Sequence, residues 1–371
     1  MSVLTIVILI FSVLGAVDWL IGNKIGVGKE FERAFSLFAP MALSMLGMLV
    51  IAPAIGVWLT PVFNGFYNIF RIDPSIIPAS LLANDMGGMT VAQGICKNEQ
   101  IGNYNAFVVS SMMGCLISFT LPFSLGLVKK EQHNELFTGL LCGIATIPMG
   151  CFVGGLICGI SPISLLIDLL PLIILGVIIA FALVFFKKIC IKCFSVFGWF
   201  MRILSIVGLV CAIFTFLTEL KISESFDTFK NAAFVCANAC VTLSGALPFM
   251  FLVTKLLNKP LERLSSKIGI NGVSAVSLLG SLVTNASTFG MMDKMDKKGT
   301  VLNSAFAVSA SFVFGSHLAF TMVYDNSYVL PMIVGKIVSG VCAVALALLI
   351  YRGGENGSRR IKKKDAVQNK T

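Results

Sequence analysis

Carboxylates and histidines inside apolar segments are the side chains of this sequence with the clearest capacity for chemistry. Asp85 lies in an apolar stretch, directly after Asn84 and just before Gly87 and Gly88. An ionised aspartate at the centre of a membrane helix costs about 2.5–3.5 kcal/mol on insertion scales, so such a residue usually has a function. The carboxylate, the amide and the carbonyls freed by a break at the glycines would accept the N–H bonds of a cationic ligand. The alternative is that Asp85 caps the second half of a broken helix, and both roles are compatible.

Other ionisable groups in apolar segments have weaker claims to a function. His317 lies deep in an apolar run, where it is either a packing residue or a carrier of protons near neutral pH. Asp18, beside Trp19, is expected to anchor the first helix at the membrane interface. Asp168 is expected to be solvated close to a helix end, and Lys336 to extend its ammonium to the surface.

The elements that must position these residues follow from the composition. Of the 371 residues, 57% are hydrophobic and only 12% are charged, and the mean hydropathy is +0.92. Soluble domains carry about 25% charged residues, so the sequence predicts an all-α polytopic membrane protein. The net charge of +10 lies in short loops and in a basic tail, 352–371, predicted to be a disordered cytoplasmic segment against anionic lipid. This distribution argues against binding of nucleic acid.

Nine apolar segments are long enough to cross a bilayer, which takes roughly 20 residues. They lie at about 2–22, 34–60, 103–128, 135–160, 162–186, 195–218, 230–256, 300–323 and 328–351. Two further segments, about 75–96 and 269–292, are interrupted near their middle by polar and small residues. Freed backbone at membrane depth is tolerated only when it is buried in protein or lines a cavity, so we expect both segments to be broken helices.

The distribution of basic residues indicates that the two broken segments re-enter the membrane and do not cross it. With a re-entrant path and the N-terminus outside, the loops on the outer side hold only Arg71, Lys97, Lys221 and Lys230. Full crossing would divide the basic residues far more evenly between the two sides. Because Lys and Arg concentrate in cytoplasmic loops, we predict two re-entrant segments and a cytoplasmic C-terminus.

The two halves of the chain also resemble each other. Asn84 and Asn285 lie 201 residues apart, each inside a broken segment, and the run 105–110 after the first matches 304–309 after the second. Ser44 has a counterpart in Ser244. An odd number of crossings between the halves inverts the second, and inverted repeats with broken helices are a transporter architecture. We predict a first repeat at 1–160, a connecting helix and loop at 161–194, and a second repeat at 195–351.

Several motifs in register resemble the EutH family of bacterial ethanolamine utilisation proteins. The resemblance covers about residues 10–345, and its motifs are Leu81–Gly88, Asp18–Lys24 with Gly26-x-Gly28, Pro40–Gly47, Ile147–Cys151 and Ala305–Ala310. It implies a protein of the cytoplasmic membrane that brings ethanolamine into the cell for degradation to acetaldehyde and ammonia. Where the family carries an acidic residue before the His of a Gly-x-His-Leu motif, this chain has Ser316, which puts in doubt any role for a second carboxylate there.

Ethanolamine is largely protonated at neutral pH, and its ammonium group and hydroxyl suit the oxygens around Asp85. We therefore predict a substrate site to which the inverted repeat contributes Asn285 and Ser287. The full set of predicted substrate-binding residues is Ser44, Asn84, Asp85, Gly87, Gly88, Asn285, Ser287 and His317.

Two other functions stay open at this point. One is ion-coupled transport of another small amine or amino alcohol, and the other is a membrane-embedded head-group enzyme. A phosphate-gripping glycine loop and an Asp-rich metal cluster, which such an enzyme would use, are not evident in the sequence. The eleven cysteines lie mostly in apolar stretches without metal-type spacing, so no metal or cofactor is predicted. The expected partners are the solute and lipid, and a homo-oligomer stays open.

Overall fold

The chain folds into helices that follow its long apolar runs. The computed structural model describes the backbone of residues 3–368, and their side chains except those of 262, 264 and 352–368. The helices are α1 (Val3–Leu20), α2 (Val27–Phe70), α3 (Ile76–Leu81), α4 (Gly88–Ile95), α5 (Glu99–Leu127), α6 (Lys130–Ile157), α7 (Pro162–Asp168), α8 (Leu170–Phe185), α9 (Lys187–Thr218), α10 (Phe229–Ile268), α11 (Gly272–Val283), α12 (Asn285–Gly290), α13 (Lys297–Ala310), α14 (Ser316–Tyr324) and α15 (Val329–Gln368). No strand occurs among the described residues.

Seven of the described helices are long and apolar enough to cross a membrane, namely α1, α2, α5, α6, α9, α10 and α15. Helices α7 and α8 meet at a bend of 43° and together make an eighth candidate. This confirms a polytopic, all-α membrane protein. The predicted count of about nine spans stays a prediction, because the segment predicted at 300–323 is divided into two helices, α13 and α14, each too short to count as a span alone.

The segment at 300–323 consists of α13 and α14, joined by a non-helical stretch from 311 to 315. Two amides of this stretch are paired with the backbone of α11: Phe312 N donates to Ser281 O at 3.1 Å, and Phe314 N donates to Leu282 O at 2.8 Å. These carbonyls belong to the last turn of α11, where a helix leaves its carbonyls without partners. The amides exposed by the break between α13 and α14 thus provide hydrogen-bond donors for the free carbonyls at the end of α11.

Both predicted broken segments are broken where the sequence indicated. The first, α3–α4, has non-helical backbone at Leu82 and Ala83 and a left-handed Gly87 with a φ of 86°. The second, α11–α12, is interrupted at Thr284, whose backbone is extended. The interruption therefore lies directly before Asn84 in one segment and directly before Asn285 in the other.

The two ends of each broken segment lie next to each other, and a buried or half-buried aspartate at one end accepts hydrogen bonds from the other end. Asp73, which precedes α3, accepts hydrogen bonds from the amides of Lys97 and Asn98 after α4, both at 2.9 Å. Asp296, which follows α12, accepts one from the amide of Asn271 before α11, also at 2.9 Å. We call residues 73–98 hairpin 1 and residues 271–296 hairpin 2. Each hairpin returns to the end at which it started.

We call the place where the first and last residues of a hairpin meet its base. The bases of the two hairpins lie at opposite ends of α5. This helix starts at Glu99, next to the base of hairpin 1, and its 29 residues extend about 40 Å at 1.5 Å per residue. Just beyond its other end, the Lys129 ammonium lies 3.3 Å from the Asp293 carboxylate, and the Gln132 amide donates to Met292 O at 2.6 Å. Hairpin 1 and hairpin 2 therefore enter the helical bundle from opposite ends.

Helix α6 forms the centre of one side of the bundle, between α13 and α15. A stripe of glycines permits the close approach, and a methyl group added to any of them would lie within 2.8 Å of a neighbouring atom. These glycines are Gly139, Gly143, Gly150 and Gly154. Small residues at helix contacts are the usual way to pack helices in lipid, because backbones can then approach closely. Through α6, the predicted first repeat packs into the second.

Two aspartates occupy positions different from those expected. Asp18 is 1% exposed and accepts hydrogen bonds from the amides of Ile25, Gly26 and Gly28 at 2.8–3.0 Å. It therefore satisfies the free amides at the start of α2, and the prediction of an interfacial anchor was wrong. Asp168 is 4% exposed and accepts a bond from Asn105 Nδ2 at 3.3 Å, so the prediction that it is solvated was also wrong.

The predicted division at 160 and 194 stays a prediction. Helix α15 extends to Gln368, so the structure gives a helical backbone to most of the tail for which disorder was expected. The side chains of that tail and residues 369–371 lie outside the described residues, and its contact with lipid stays a prediction.

Candidate functional site

A cavity of about 530 Å³ opens between hairpin 1, α2, α5, α9 and the break that precedes α14. Its polar lining includes the side chains of Asp85, Ser316, His317, Ser118 and Ser44, with Arg202 contributed by α9. The rest of the wall is mostly apolar and aromatic. A concave, largely apolar cavity with a few converging polar groups is the usual form of a small-molecule site.

Asp85 faces the cavity because the break in hairpin 1 places it there. The amide of Ala83 donates to Ser118 Oγ of α5 at 3.0 Å, and the amide of Gly88 returns to Ala83 O at 2.9 Å. Asn84 Oδ1 accepts the amide of Asp85 at 3.0 Å. The backbone on both sides of Asp85 is thus fixed. The carboxylate itself is left for the cavity, where the residue retains 9% exposure.

Two residues at the start of α14 contact the Asp85 carboxylate. The Ser316 hydroxyl faces it across the cavity and interacts with it electrostatically, and His317 Nε2 lies 3.9 Å from Asp85 Oδ1. The start of a helix carries a partial positive charge, which favours an anionic group at this position. Hairpin 1 therefore supplies the acid, and the broken α13–α14 segment supplies its partners.

Lys336 lies on the side of His317 that faces away from Asp85, and it is 1% exposed. Its ammonium lies 3.2 Å from His317 Nδ1 and donates to the carbonyl of Ser111. The prediction that Lys336 reaches the surface was wrong, because its position on α15 faces α5 and α14 in the interior of the bundle. An ammonium has only donors, so Nδ1 must accept and the imidazole proton must lie on Nε2, towards Asp85.

Aromatic rings enclose the cavity next to these charges. The Phe312 ring is 5.1 Å from the His317 ring and 5.5 Å from the Phe119 ring, and Phe119 stacks on Phe123 at 5.1 Å. Phe312 has a φ of 63°, a conformation that costs a non-glycine residue about 1–3 kcal/mol and is concentrated at functional sites. Ring faces near a carboxylate suit a cation, which they attract through their quadrupoles.

The structure brings together three of the eight predicted site residues, Asp85, His317 and Ser44, in the lining of the cavity. Ser44 donates to Pro40 O at 2.9 Å, and its position on the wall comes from the π-helical turn Ala42–Leu46.

Asn84, Gly87 and Gly88 build the break and do not line the cavity. Asn84 is buried, with its Nδ2 unpaired. Gly87 lies against Met48 and Ala52 of α2, and Gly88 lies against the carbonyl of Leu82. Their predicted contact with a substrate stays a prediction.

Asn285 and Ser287 of hairpin 2 also lie outside the cavity lining. Asn285 Nδ2 donates to Thr120 Oγ1 of α5 at 3.1 Å, and Ser287 Oγ donates to Thr284 O at 2.9 Å. In this conformation hairpin 2 therefore contacts α5, and its amide does not approach Asp85.

Sequence reasoning missed Lys336, Ser316 as a partner of Asp85, and Phe312. The sequence did offer an indication for Lys336, because a charged side chain well inside an apolar helix has a high free-energy cost in the membrane and usually has a function. No group of three or more His, Cys, Asp or Glu side chains that could hold a metal occurs among the described residues.

Comparison with known proteins places the chain in a family. The family model described as ethanolamine utilisation protein EutH matches residues 1–350. A protein of Listeria monocytogenes named probable ethanolamine permease EutH is 37% identical over 370 residues, which cover 100% of this chain and 97% of the relative.

Two further relatives are similar over most of their length. A protein of Salmonella typhimurium, also named probable ethanolamine permease EutH, is 32% identical over 93% of this chain and 88% of its own. The uncharacterized protein YxeR of Bacillus subtilis is 33% identical over 91% of both chains. No solved structure matches the chain. With a family model that matches nearly the whole length and relatives of this identity, the chain belongs to the EutH family of ethanolamine utilisation proteins.

Proposed function

We propose that this protein carries ethanolamine, as its ammonium form, across the cell membrane into the cytoplasm for ethanolamine utilisation. The observation that supports this most directly is the Asp85 carboxylate, held by a broken helix inside a membrane protein and facing a cavity. The names of two relatives, probable ethanolamine permease, agree with this solute.

The chemistry of the cavity fits the two ends of ethanolamine. The ammonium has three donors for the Asp85 carboxylate and nearby oxygens, and the Phe119 and Phe312 rings stabilise a cation beside them. The hydroxyl can pair with Ser316, Ser118 or Ser44. The cavity is far larger than one ethanolamine, so in this conformation it would also hold water. Closure of the hairpins around the solute would then complete the site.

The topology proposed for transport follows from the positions of the hairpins. Since their bases lie at opposite ends of α5, we propose that the two halves are inverted repeats, with the base of hairpin 1 outside the cell and the base of hairpin 2 in the cytoplasm. The basic residues near Lys294, Lys297 and Lys298 at the second base fit the cytoplasmic side. The N-terminus would then lie outside.

A transporter fits the site better than an enzyme does. The nucleophiles on the cavity wall near Asp85 and His317 are serine hydroxyls and the buried Cys115 thiol, and His317 Nδ1 is engaged by Lys336, so it is not free to act as their general base. Transport of another small amine shares all of the geometry. Competition of labelled ethanolamine uptake by ethylamine, choline and serinol would show how far the site depends on the hydroxyl and on the three N–H donors.

Replacement of the carboxylate tests the proposal. In cells at pH 6, where little neutral ethanolamine is present to cross lipid unaided, Asp85→Asn should lower uptake of labelled ethanolamine at least about tenfold, since hydrogen bonds to charged groups contribute about 1.5–3 kcal/mol. The protein-dependent share of uptake should also rise as the pH falls. Asp325→Asn is the matched control, because Asp325 caps a short turn at the end of α14 outside the cavity. A normally expressed Asp85→Asn protein with the parental rate would contradict the proposal.

A further inference from the structure

The buried lysine has no use in simple binding of an ammonium, and it opposes that binding. Lys336 places a positive charge behind His317, and its Nζ contacts a carbonyl oxygen and an imidazole nitrogen. A buried charge is costly unless it is paired. The nearest group of opposite charge that lines the cavity is Asp85, which lies on the far side of the imidazole.

The three side chains form a continuous line from the interior to the cavity. Lys336 Nζ donates to His317 Nδ1 at 3.2 Å, and the proton on Nε2 points to Asp85 Oδ1 at 3.9 Å. The second distance is one small movement from a hydrogen bond. A proton that passes from Lys336 to Nδ1 can therefore release the Nε2 proton to Asp85, and the imidazole is neutral before and after.

The remaining groups around Lys336 do not replace Asp85 as a counterion. Helix α5 presents the Ser111 carbonyl and the Cys115 thiol, α6 presents the Cys151 thiol, and α14 presents His317. Asp85, on the break in hairpin 1, is the acid that acts on Lys336, while Arg202 lines the cavity from α9. With Lys336 as ammonium and Asp85 as carboxylate, the pair is neutral when no substrate is bound.

We propose that the protein exchanges protons for its substrate, so that each ammonium bound at Asp85 displaces one proton from Lys336. This inference rests on the proposed function. Lys336 gives a proton to His317 Nδ1, Nε2 gives its proton to Asp85, and Asp85 releases that proton to water in the cavity. The carboxylate then pairs with the substrate ammonium, and the Lys336 amine is neutral. When the substrate leaves on the other side, a proton from that side restores the pair.

One cation enters for each proton that leaves, so the cycle moves no net charge. The charges of Lys336, Asp85 and the substrate sum to zero with or without substrate, which avoids the cost of moving an unpaired charge through the membrane interior. A carrier of the bare ammonium would respond to the membrane potential, which is worth about 2.3 kcal/mol per charge at 100 mV, or roughly 50-fold accumulation. The proton-exchanging carrier should accumulate nothing in response to potential alone.

The test uses the full chain in proteoliposomes at pH 6 on both sides, with labelled ethanolamine and a potassium diffusion potential of about 100 mV, negative inside. The wild-type protein should bring internal ethanolamine to within about twofold of the external concentration, with or without the potential. Accumulation approaching 50-fold would overturn proton exchange and leave the proposed function standing. If the protein adds no flux over empty liposomes at zero potential, the proposed function itself fails.

Two variants separate proton exchange from a role of Lys336 as a fixed charge. Arginine keeps the charge but does not give up its proton, so Lys336→Arg should reduce ethanolamine flux at least about tenfold while the protein remains monodisperse. Lys336→Met removes the exchangeable proton, so any remaining flux should become sensitive to the potential. Wild-type flux in Lys336→Arg, or flux in Lys336→Met that ignores the potential, would overturn the inference. Lys188→Met, on the exposed surface of α9, is the control and should behave as the wild type.

Discussion

The two hairpins and the helices that follow them are built on one plan, but they differ at the position where a ligand would bind. In the first half, α5 continues past hairpin 1 as a widened helix, with π-helical segments at Asn105–Gly114 and Leu116–Thr120. In the second half, the corresponding helix breaks completely between α13 and α14. The first half keeps its helix and presents a carboxylate from the hairpin. The second half opens its helix and presents Ser316 and His317 to that carboxylate.

The shared plan is most evident at one glycine in each half. Gly114 lies against the carbonyl of Leu82 and Gly315 against the carbonyl of Val283, so closely that an added methyl carbon would be 2.0 and 2.1 Å from the oxygen. Both the glycines and the carbonyls lie 201 residues apart, the offset that separates Asn84 from Asn285. Close approach of hairpin and following helix is therefore common to both halves, and the acid at position 85 is not.

The bases of the hairpins show the same plan with the roles exchanged. Hairpin 1 begins with Asp73, and its last residue, Asn98, caps the helix that follows. Hairpin 2 begins with Asn271, and its last residue, Asp296, caps the helix that follows. One Asp and one Asn close each base, and a carboxylate joins the two ends of each hairpin.

The glycine pair allows the strongest test of this equivalence. Gly114→Ala and Gly315→Ala should each destabilise the protein by about 3 kcal/mol or more, the upper end of the cost of overpacking, because the methyl group meets backbone that cannot rotate away. Thermal unfolding of the purified protein in detergent would measure the loss. Gly126→Ala is the control, since an added methyl group there meets nothing within 4 Å. If only one of the pair were sensitive, the two halves would not share this contact as a structural requirement.

The aspartates at the bases should show a smaller and unequal effect. Asp73 is 9% exposed and accepts bonds from Ser75, Lys97 and Asn98, whereas Asp296 is only half-buried. Asp73→Asn should lower the free energy of unfolding by about 1.5–3 kcal/mol and Asp296→Asn by less, because charge-assisted hydrogen bonds contribute more when they are buried. Denaturation curves of the two variants under one condition would decide the order. The reverse order would mean that exposure does not set the strength of these contacts.

The aromatic rings of the cavity should give the smallest effect. Phe119 comes from the first half and Phe312 from the second, and both line the cavity. Phe119→Leu and Phe312→Leu should each raise the KM for ethanolamine uptake about two- to fivefold, the equivalent of a cation–π contribution of about 0.5–1 kcal/mol. Phe181→Leu, on the outer surface of α8, should leave the KM unchanged. An effect confined to one ring would show that a single half holds the ammonium.

Much of this arrangement could be predicted from local sequence. Two polar interruptions in apolar segments predicted the breaks before Asn84 and Asn285, and the cost of a buried carboxylate pointed to Asp85. The break before α14 could not be predicted in this way, because Val313 and Phe314 continue an apolar run without proline. Its cause is a tertiary contact, the pairing of its amides with the last carbonyls of α11.

For three charged residues, too, tertiary contacts decided a position that the local sequence did not predict. Asp18 and Asp168 were expected near water because each lies close to a helix end, and helix ends usually reach the surface. In the structure, the start of α2 folds back over Asp18, and Asn105 of a helix distant in sequence covers Asp168. Lys336 was expected to extend outwards, but α5 and α14 close around it.

By itself, the sequence determined that this chain is a bundle of apolar helices in which two polar breaks expose backbone and an acid. Hydropathy and helix-breaking residues are local properties, and the absence of water in the bilayer makes their consequences strict. Only the tertiary structure decided which groups face Asp85, since Ser316, His317 and Lys336 lie more than 200 residues away in the chain. The pairing of a buried charge depends on which helix surfaces meet, and no local pattern encodes that.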